Sequence, residues 1–189
     1  MAKNDRERWN ARHAEEPPPP PSPFLAELDP VLPRRGRALD VAGGSGRHAL
    51  WLARRGLEVT LADVSDVALA RAADDARREG LKITTLQVDL EAAPLPPGPW
   101  DVILCTYFLH RPLFAAFAAA LAPAGLLVAA HATRSNLSRH GRPGPDHVLE
   151  DGELPALVRG LEIVRYDEGW LESGRHEARI VARRPAGRG

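Results

Sequence analysis

The stretch that most constrains this chain is residues 38–55, ALDVAGGSGRHALWLARR. An apolar run closes on Asp40-Val41-Ala42, four small residues Gly43-Gly44-Ser45-Gly46 follow, and an amphipathic segment begins at Arg47. That order is strand, tight turn and helix, the opening of a nucleotide-type site. The turn calls for glycine because the backbone must be approached closely and adopt positive φ. The first amides of the new helix have no partner within it and point into the site. Such a helix start favours an anion, as the pyrophosphate of a dinucleotide. Asp40 sets a carboxylate beside that position, which disfavours phosphate and favours a ligand with an ammonium group. S-adenosylmethionine has that charge pattern, and a nicotinamide-dependent oxidoreductase is the reading Asp40 argues against.

The rest of the chain alternates. Residues 37–42 read as a strand, 47–55 as a helix stopped by Gly56, 57–63 as a strand ended by Asp63, and 66–79 as an alanine-rich helix ended by Gly80. A third strand over 82–88 ends at Asp89, and the proline-rich 90–100 leaves room for a loop rather than a crossover helix. A fourth strand over 101–106 is apolar enough for burial on both faces. A helix over 112–121 has proline in its first turn. A turn at Pro123-Ala124-Gly125 precedes a fifth strand over 126–131. Residues 132–145 read as a long loop and 150–158 as a two-turn helix. Segments 160–166 and 178–183 should then pair as a hairpin, with Trp170 and Leu171 candidates to lengthen its first strand.

Crossovers of this kind imply an α/β fold with a parallel sheet covered on both sides. Such sheets bind ligands beyond the carboxyl ends of their strands. Asp40, Asp63, Asp89 and the segment 107–111 all fall at that edge. Asp63 stands about 20 residues beyond the glycine turn, the separation of an acid that accepts from ribose hydroxyls.

Residues 1–23 read as a polar segment with Trp9 as its one large apolar residue, joined through the proline run 17–21 to a single domain over 24–184, with 185–189 a frayed end. The proline run is a stiff linker, or a docking element for a partner. Balanced charge, 25 basic against 25 acidic residues, gives no bulk attraction to nucleic acid. The single cysteine, Cys105, excludes an internal disulfide and a cysteine-based zinc cluster. No apolar run reaches membrane-spanning length and the first residues do not resemble a signal peptide, so a cytoplasmic protein is expected. His131, His140 and His147 match no close-set ligand spacing, so no metal is expected. Oligomeric state is not legible.

These motifs resemble those of the class I S-adenosylmethionine-dependent methyltransferases, and more narrowly the small bacterial group related to the tellurite-resistance methyltransferases. The resemblance is carried by residues 39–49, by Asp63 with Ser65 and Ala68-Leu69, by Asp89-Leu90-Glu91, by residues 108–114 and by Gly152-Glu153-Leu154. It implies an open Rossmann-like sheet of order 3-2-1-4-5-7-6 with strand 7 antiparallel and helices on both faces. It also implies S-adenosyl-L-methionine as cofactor. Gly43, Gly44 and Gly46 would lie against its methionine moiety, Asp40 would serve the amino group, and Asp63 the ribose. Asp89 would serve the adenine amine, with Leu90 and Val64 packing on the ring. Two positions depart from the group. Gly43 stands where cysteine is frequent, a place that needs only a small residue, and Tyr107 stands where asparagine is frequent.

The expected activity is methyl transfer to a small-molecule nucleophile, a thiol or a chalcogen oxyanion; a non-catalytic S-adenosylmethionine-binding sensor is the alternative. In-line displacement relies on orientation and exclusion of water. His110 is the candidate base, Arg111 the candidate contact for an anionic acceptor, and Tyr107 a lining residue.

Overall fold

The computed structural model describes residues 2–15 and 18–187, with side chains from residue 4 onward. The first proline of the run 17–21 and the last two residues of the expected frayed end lie outside the described residues.

Seven strands form one sheet in the order β3-β2-β1-β4-β5-β7-β6. They are β1 Arg37–Val41, β2 Glu58–Asp63, β3 Ile83–Gln87, β4 Trp100–Thr106, β5 Leu121–Ala132, β6 Glu162–Trp170 and β7 His176–Arg183. All neighbours pair parallel except β7, which runs antiparallel to both β5 and β6. The central strand β1 sets Asp40 beside Leu61 on one side and Leu104 on the other. Alternation along β4 sends Ile103 and Cys105 to one face, packed with Phe114 and Phe117. Val102 and Leu104 go to the other, packed with Phe24, Leu52 and Leu69. This two-sided burial is why the strand reads as an unbroken apolar run.

The helices are α1 Ala2–Glu15, α2 Pro23–Glu27, α3 Arg47–Arg54, α4 Asp66–Arg78, α5 Arg111–Ala120 and α6 Leu154–Leu157. Helix α4 begins on Ser65, whose Oγ accepts from the Ala68 amide at 3.1 Å, and Asp66 favours the positive end of its dipole. Pro112 occupies the first turn of α5. None of the described helices is long and apolar enough to cross a membrane.

Two local expectations are corrected. Pro123-Ala124-Gly125 is a bulge inside β5, not a turn before it. The pairing steps from Trp100–Leu121 to Val102–Leu126, and the extra residues are held by hydrogen bonds between Ala124 N and Arg184 O (3.0 Å) and between Arg184 N and Gly125 O (2.9 Å). The late helix is a single turn, α6, and the loop before it contains two 3₁₀ turns, Arg134–Ser138 and Pro145–His147. The polar segment at the start forms α1, which lies on α4. Arg6 Nε and Asn10 Nδ2 both donate to Asp66 Oδ1 at 2.8 Å, and Ser65 Oγ donates to Asn10 Oδ1 at 2.7 Å.

Helix α2 ties the segment after the prolines into the core. Phe24 is 1 % exposed, with Arg179 and Arg165 over its ring at 5.3 and 5.5 Å, and Glu27 pairs with Arg165 at 2.8 Å. Phe24→Ala is expected to remove about 3–5 kcal/mol of stability, since the ring is buried within the core on that face of the sheet. Urea denaturation of the full chain checks this, and a midpoint unchanged from the parent contradicts it.

Candidate functional site

The carboxyl ends of β1, β2 and β4 meet at the glycine turn. Gly44 and Gly46 have φ of 57° and 76°, the left-handed region the turn was expected to need. A Cβ on Gly46 would lie 2.8 Å from the Ala72 Cβ, so close packing of α3 against α4 demands glycine as well. At Gly43 a Cβ would fall 2.4 Å from Asp40 Oδ2 and 2.5 Å from Leu61 Cδ1. A merely small residue therefore does not fit there, which corrects the sequence expectation.

Asp63 is 6 % exposed and joins three pieces of the edge. Its Oδ2 accepts from the Gly44 amide and its Oδ1 from the Ser65 amide, both at 2.8 Å. Each carboxylate oxygen keeps acceptor capacity for a further donor. Asp40 is wholly buried beneath Gly43, and neither of its oxygens has a hydrogen-bond partner among the described residues. Burial pushes its carboxyl up to about 7; the Ala49 amide opposes this, the Asp63 charge adds to it, and Arg47 lowers it. Two orphaned buried oxygens beside a left-handed turn are an unusual cost, and they suit a site whose ligand brings positive charge.

Asp89 forms a turn of its own: Oδ1 accepts from the Glu91 amide at 3.0 Å, and its carbonyl accepts from Ala93 at 2.8 Å. Leu90 turns into the core at 4 % exposure and offers little side-chain surface to a ligand. Val64 follows Asp63, and its carbonyl accepts from Gln87 Nε2 at 3.4 Å.

Sequence reasoning missed α1 as the roof of this site. The His13 ring stands over Gly44, 2.9 Å from where a Cβ would be, and its Nδ1 is 3.0 Å from Ser45 Oγ. Trp9 stacks on His13 at 5.9 Å, and Arg71 donates to the His13 carbonyl at 3.2 Å. His48 is buried, its Nε2 accepts from the Ser22 amide at 3.2 Å, and its Nδ1 lies 3.3 Å from Thr106 Oγ1. The Ser22 bond requires an unprotonated Nε2, so Nδ1 carries the hydrogen and donates to Thr106. Burial holds the imidazole down to about 3, with Arg47 adding to the effect.

The three residues expected to do chemistry separate. Arg111 forms a two-pronged pair with Glu153 (2.5 and 2.8 Å) and donates to the Val148 carbonyl at 3.1 Å, clasping the loop before α6. His110 is the N-cap of α5 and stacks against Phe108 at 6.4 Å. The Tyr107 ring lies under the guanidinium of Arg47, the first residue of α3, at 5.6 Å. Its hydroxyl donates to Glu177, a buried acid no sequence signal singled out. His131 is buried against Phe114, and burial lowers it to about 3. The one His/Asp/Glu group close enough for a cation among the described residues is Asp151, Glu168 and His176, a set the sequence did not suggest. Its carboxylates already accept from Ser135, Gly152 and Tyr166.

Residues 38–125 match the family described as "Methyltransferase domain". The chain is 34% identical over 130 residues to the glycine/sarcosine N-methyltransferase of Halorhodospira halochloris, across 62% of this chain and 47% of that protein. The curated relatives are matched over 32% to 52% of their own lengths. Among solved structures, TehB of Haemophilus influenzae superposes with a TM-score of 0.71 at 22% identity, over 86% of this chain and 61% of that one. Magnesium protoporphyrin IX methyltransferase of Synechocystis PCC 6803, solved with bound SAH, gives 0.72 at 17% identity, over 97% and 99%. These likenesses show the fold, which is that of the class I methyltransferases.

The buried groups set a pH dependence whose sign can be worked out. His48 and His131, neutral when folded down to about 3, take up protons only in the unfolded chain, so stability falls as pH drops below about 6.5. Asp40, protonated up to about 7 when folded, acts oppositely between about 4 and 7. The net over pH 4.5–6 is one proton, about 1.4 kcal/mol per pH unit rising with pH. Asp40→Asn removes the opposing group, so denaturation curves should show a slope about twice as steep over that range. Equal slopes for parent and variant would contradict the assignment.

Proposed function

We propose that this chain, which carries a methyltransferase domain of the class I fold, transfers a methyl group from S-adenosylmethionine to a small-molecule nucleophile. The observation that carries the reading is the edge where Asp40, the turn 43–46 and Asp63 meet, within residues matched by the methyltransferase family. The residues suit the cofactor. Gly43 and Gly44 remain partly exposed at the turn, and the buried Asp40 carboxyl favours a cationic methionine end. The spare acceptor capacity of Asp63 suits ribose hydroxyls, and Asp89 stands at the next strand end for an adenine amine. Bound there, the sulfonium supplies an activated methyl group.

What the protein's own residues do is hold, cover and exclude water. The pair of bonds to Asp63 fixes the turn against the N-cap of α4, so the site is formed before a ligand arrives. Helix α1, tied to Asp66 and resting His13 on Gly44, closes the open side from water. The neutral His48 fixes the start of α3 against Ser22 and Thr106. A small acceptor of thiol or chalcogen oxyanion class was the expectation from the sequence, and Tyr107, in contact with Arg47 at the start of α3, is placed to line its site.

Isothermal titration of the full chain with S-adenosylmethionine and S-adenosylhomocysteine tests the reading. Binding is expected, and Asp63→Ala should weaken it at least about tenfold, about 1.4 kcal/mol, with the denaturation midpoint of the variant as the control for folding. No binding to a folded parent overturns the reading. Binding without turnover of any offered nucleophile turns it toward the sensor alternative.

A further inference from the structure

Beyond the cofactor edge, one buried acid has no part in the roles assigned above. Glu177 is the second residue of β7, which runs antiparallel to β5, so it lies at the same sheet edge as the glycine turn. It is 3 % exposed. The Tyr107 hydroxyl donates to both of its oxygens, at 3.1 and 3.2 Å, and no described cation lies within ion-pair distance of it. A buried carboxylate served by one neutral donor is costly unless something else meets it.

Tyr107 itself is held unusually. Its φ is 59°, the left-handed region that bulky residues rarely occupy, and its amide donates to the Ala130 carbonyl at 2.8 Å to keep it there. That conformation puts the phenol over Glu177 while 43 % of the residue remains open. Burial, then the charge and hydrogen bond of Glu177, push the phenol up to about 12, so it stays a donor at neutral pH; Arg47 and Arg175 oppose this more weakly. The field at the hydroxyl is therefore set by the acid rather than by the two arginines. Arg47 joins this pair to the first residue of α3, which ties it to the cofactor turn.

We propose that Tyr107 and Glu177 form the acceptor subsite, that Glu177 takes up the acceptor's proton, and that the acceptor is a protic nucleophile, a thiol or an amine, rather than an oxyanion. This rests on the methyl-transfer reading. An oxyanion would have to approach a buried carboxylate of the same sign, whereas an S–H or N–H group supplies the donor the carboxylate lacks. As the nucleophile's lone pair bonds to the methyl carbon, the electron pair of the carbon–sulfur bond stays with the donor sulfur, which becomes a neutral thioether. The proton released from the nucleophile passes to Glu177 through the phenol, which hands its own proton to the acid as it receives the acceptor's. Between the two expected acceptor classes, this selects the thiol and adds the amine.

The test uses the full chain with S-adenosylmethionine and three probes, 2-mercaptoethanol, sarcosine and selenite, reading S-adenosylhomocysteine formed. At least one of the first two should be methylated in preference to selenite. Glu177→Gln should lower kcat on that probe about 100-fold or more, while its affinity for S-adenosylmethionine by titration stays within about twofold of the parent. Glu177→Asp should restore part of the rate, as a merely structural role would not require. If Glu177→Gln does not fold, Tyr107→Phe serves instead, with the same loss of kcat and unchanged donor affinity expected. Failure of the parent to bind S-adenosylmethionine defeats the methyl-transfer reading itself. A parent that binds the donor but prefers selenite, or methylates none of the three, overturns the proposal, as does a variant as fast as the parent.

Discussion

The site depends on a single carboxylate. Asp63 ends β2, yet its two oxygens reach backbone amides on two other pieces of chain, the glycine turn after β1 and the start of α4. A hydrogen bond from a neutral amide to a charged oxygen is stronger than one between neutral partners, and both bonds here are largely shielded from water. The parallel pairing of β1 and β2 would bring the strand ends near each other in any case. What Asp63 adds is the fixed position of Gly44 relative to Ser65. Ser65 then caps α4, and through Asn10 and Asp66 the same N-terminus receives α1. One acid thus orders the turn, the helix beneath it and, at one remove, the helix above.

The elements that show in the sequence are those whose burial is apolar and regular. The strand-and-helix series through β5 is written in short apolar runs ended by acids, and a doubly covered sheet forces those runs on any sequence that makes it. The closing hairpin shows for the same reason, since β7 alternates between Ala178, Ile180 and Ala182 on one face and Val181 on the other. Helix α1 does not show as part of the domain because its contacts are polar: Arg6, Asn10 and His13 meet Asp66, Ser65 and Ser45, and a charged segment that docks reads the same as one that does not. The bulge in β5 reads as a turn because proline and glycine mark both equally.

The candidate site was legible to the extent that it lies on strand ends. Asp40, Gly44, Gly46 and Asp63 come together as the spacing implied. Arg111 follows the same strand end, but its guanidinium is taken up by Glu153 and the loop before α6, and nothing in an arginine's position tells whether an acid such as Glu153 waits for it. Glu177 was illegible for the opposite reason. A charged residue at the start of an antiparallel strand reads as solvated, and only the strand order, which folds β7 in beside β5, buries it.

Backbone strain follows the same edge. Among the described residues, three that are not glycine hold positive φ: Ala42 at 52°, Tyr107 at 59° and Ala124 at 62°. Ala124 sits on the exposed bulge, where a local pair of hydrogen bonds with Arg184 explains it. Ala42 and Tyr107 stand directly after β1 and β4, two neighbouring strands, at their carboxyl ends. Left-handed backbone costs a residue with a Cβ about 1 kcal/mol or more, and glycine or asparagine would remove most of that cost at either position. Tyrosine at 107 gives up that relief for a phenol that neither residue could supply. The strain and the buried acid beneath it belong together: the left-handed turn is what directs the hydroxyl to Glu177, and the bond to Glu177 is one of the contacts that holds the turn. A residue kept where its backbone is unfavourable, over a carboxylate kept where its charge is unfavourable, marks the part of this edge that the fold alone does not require.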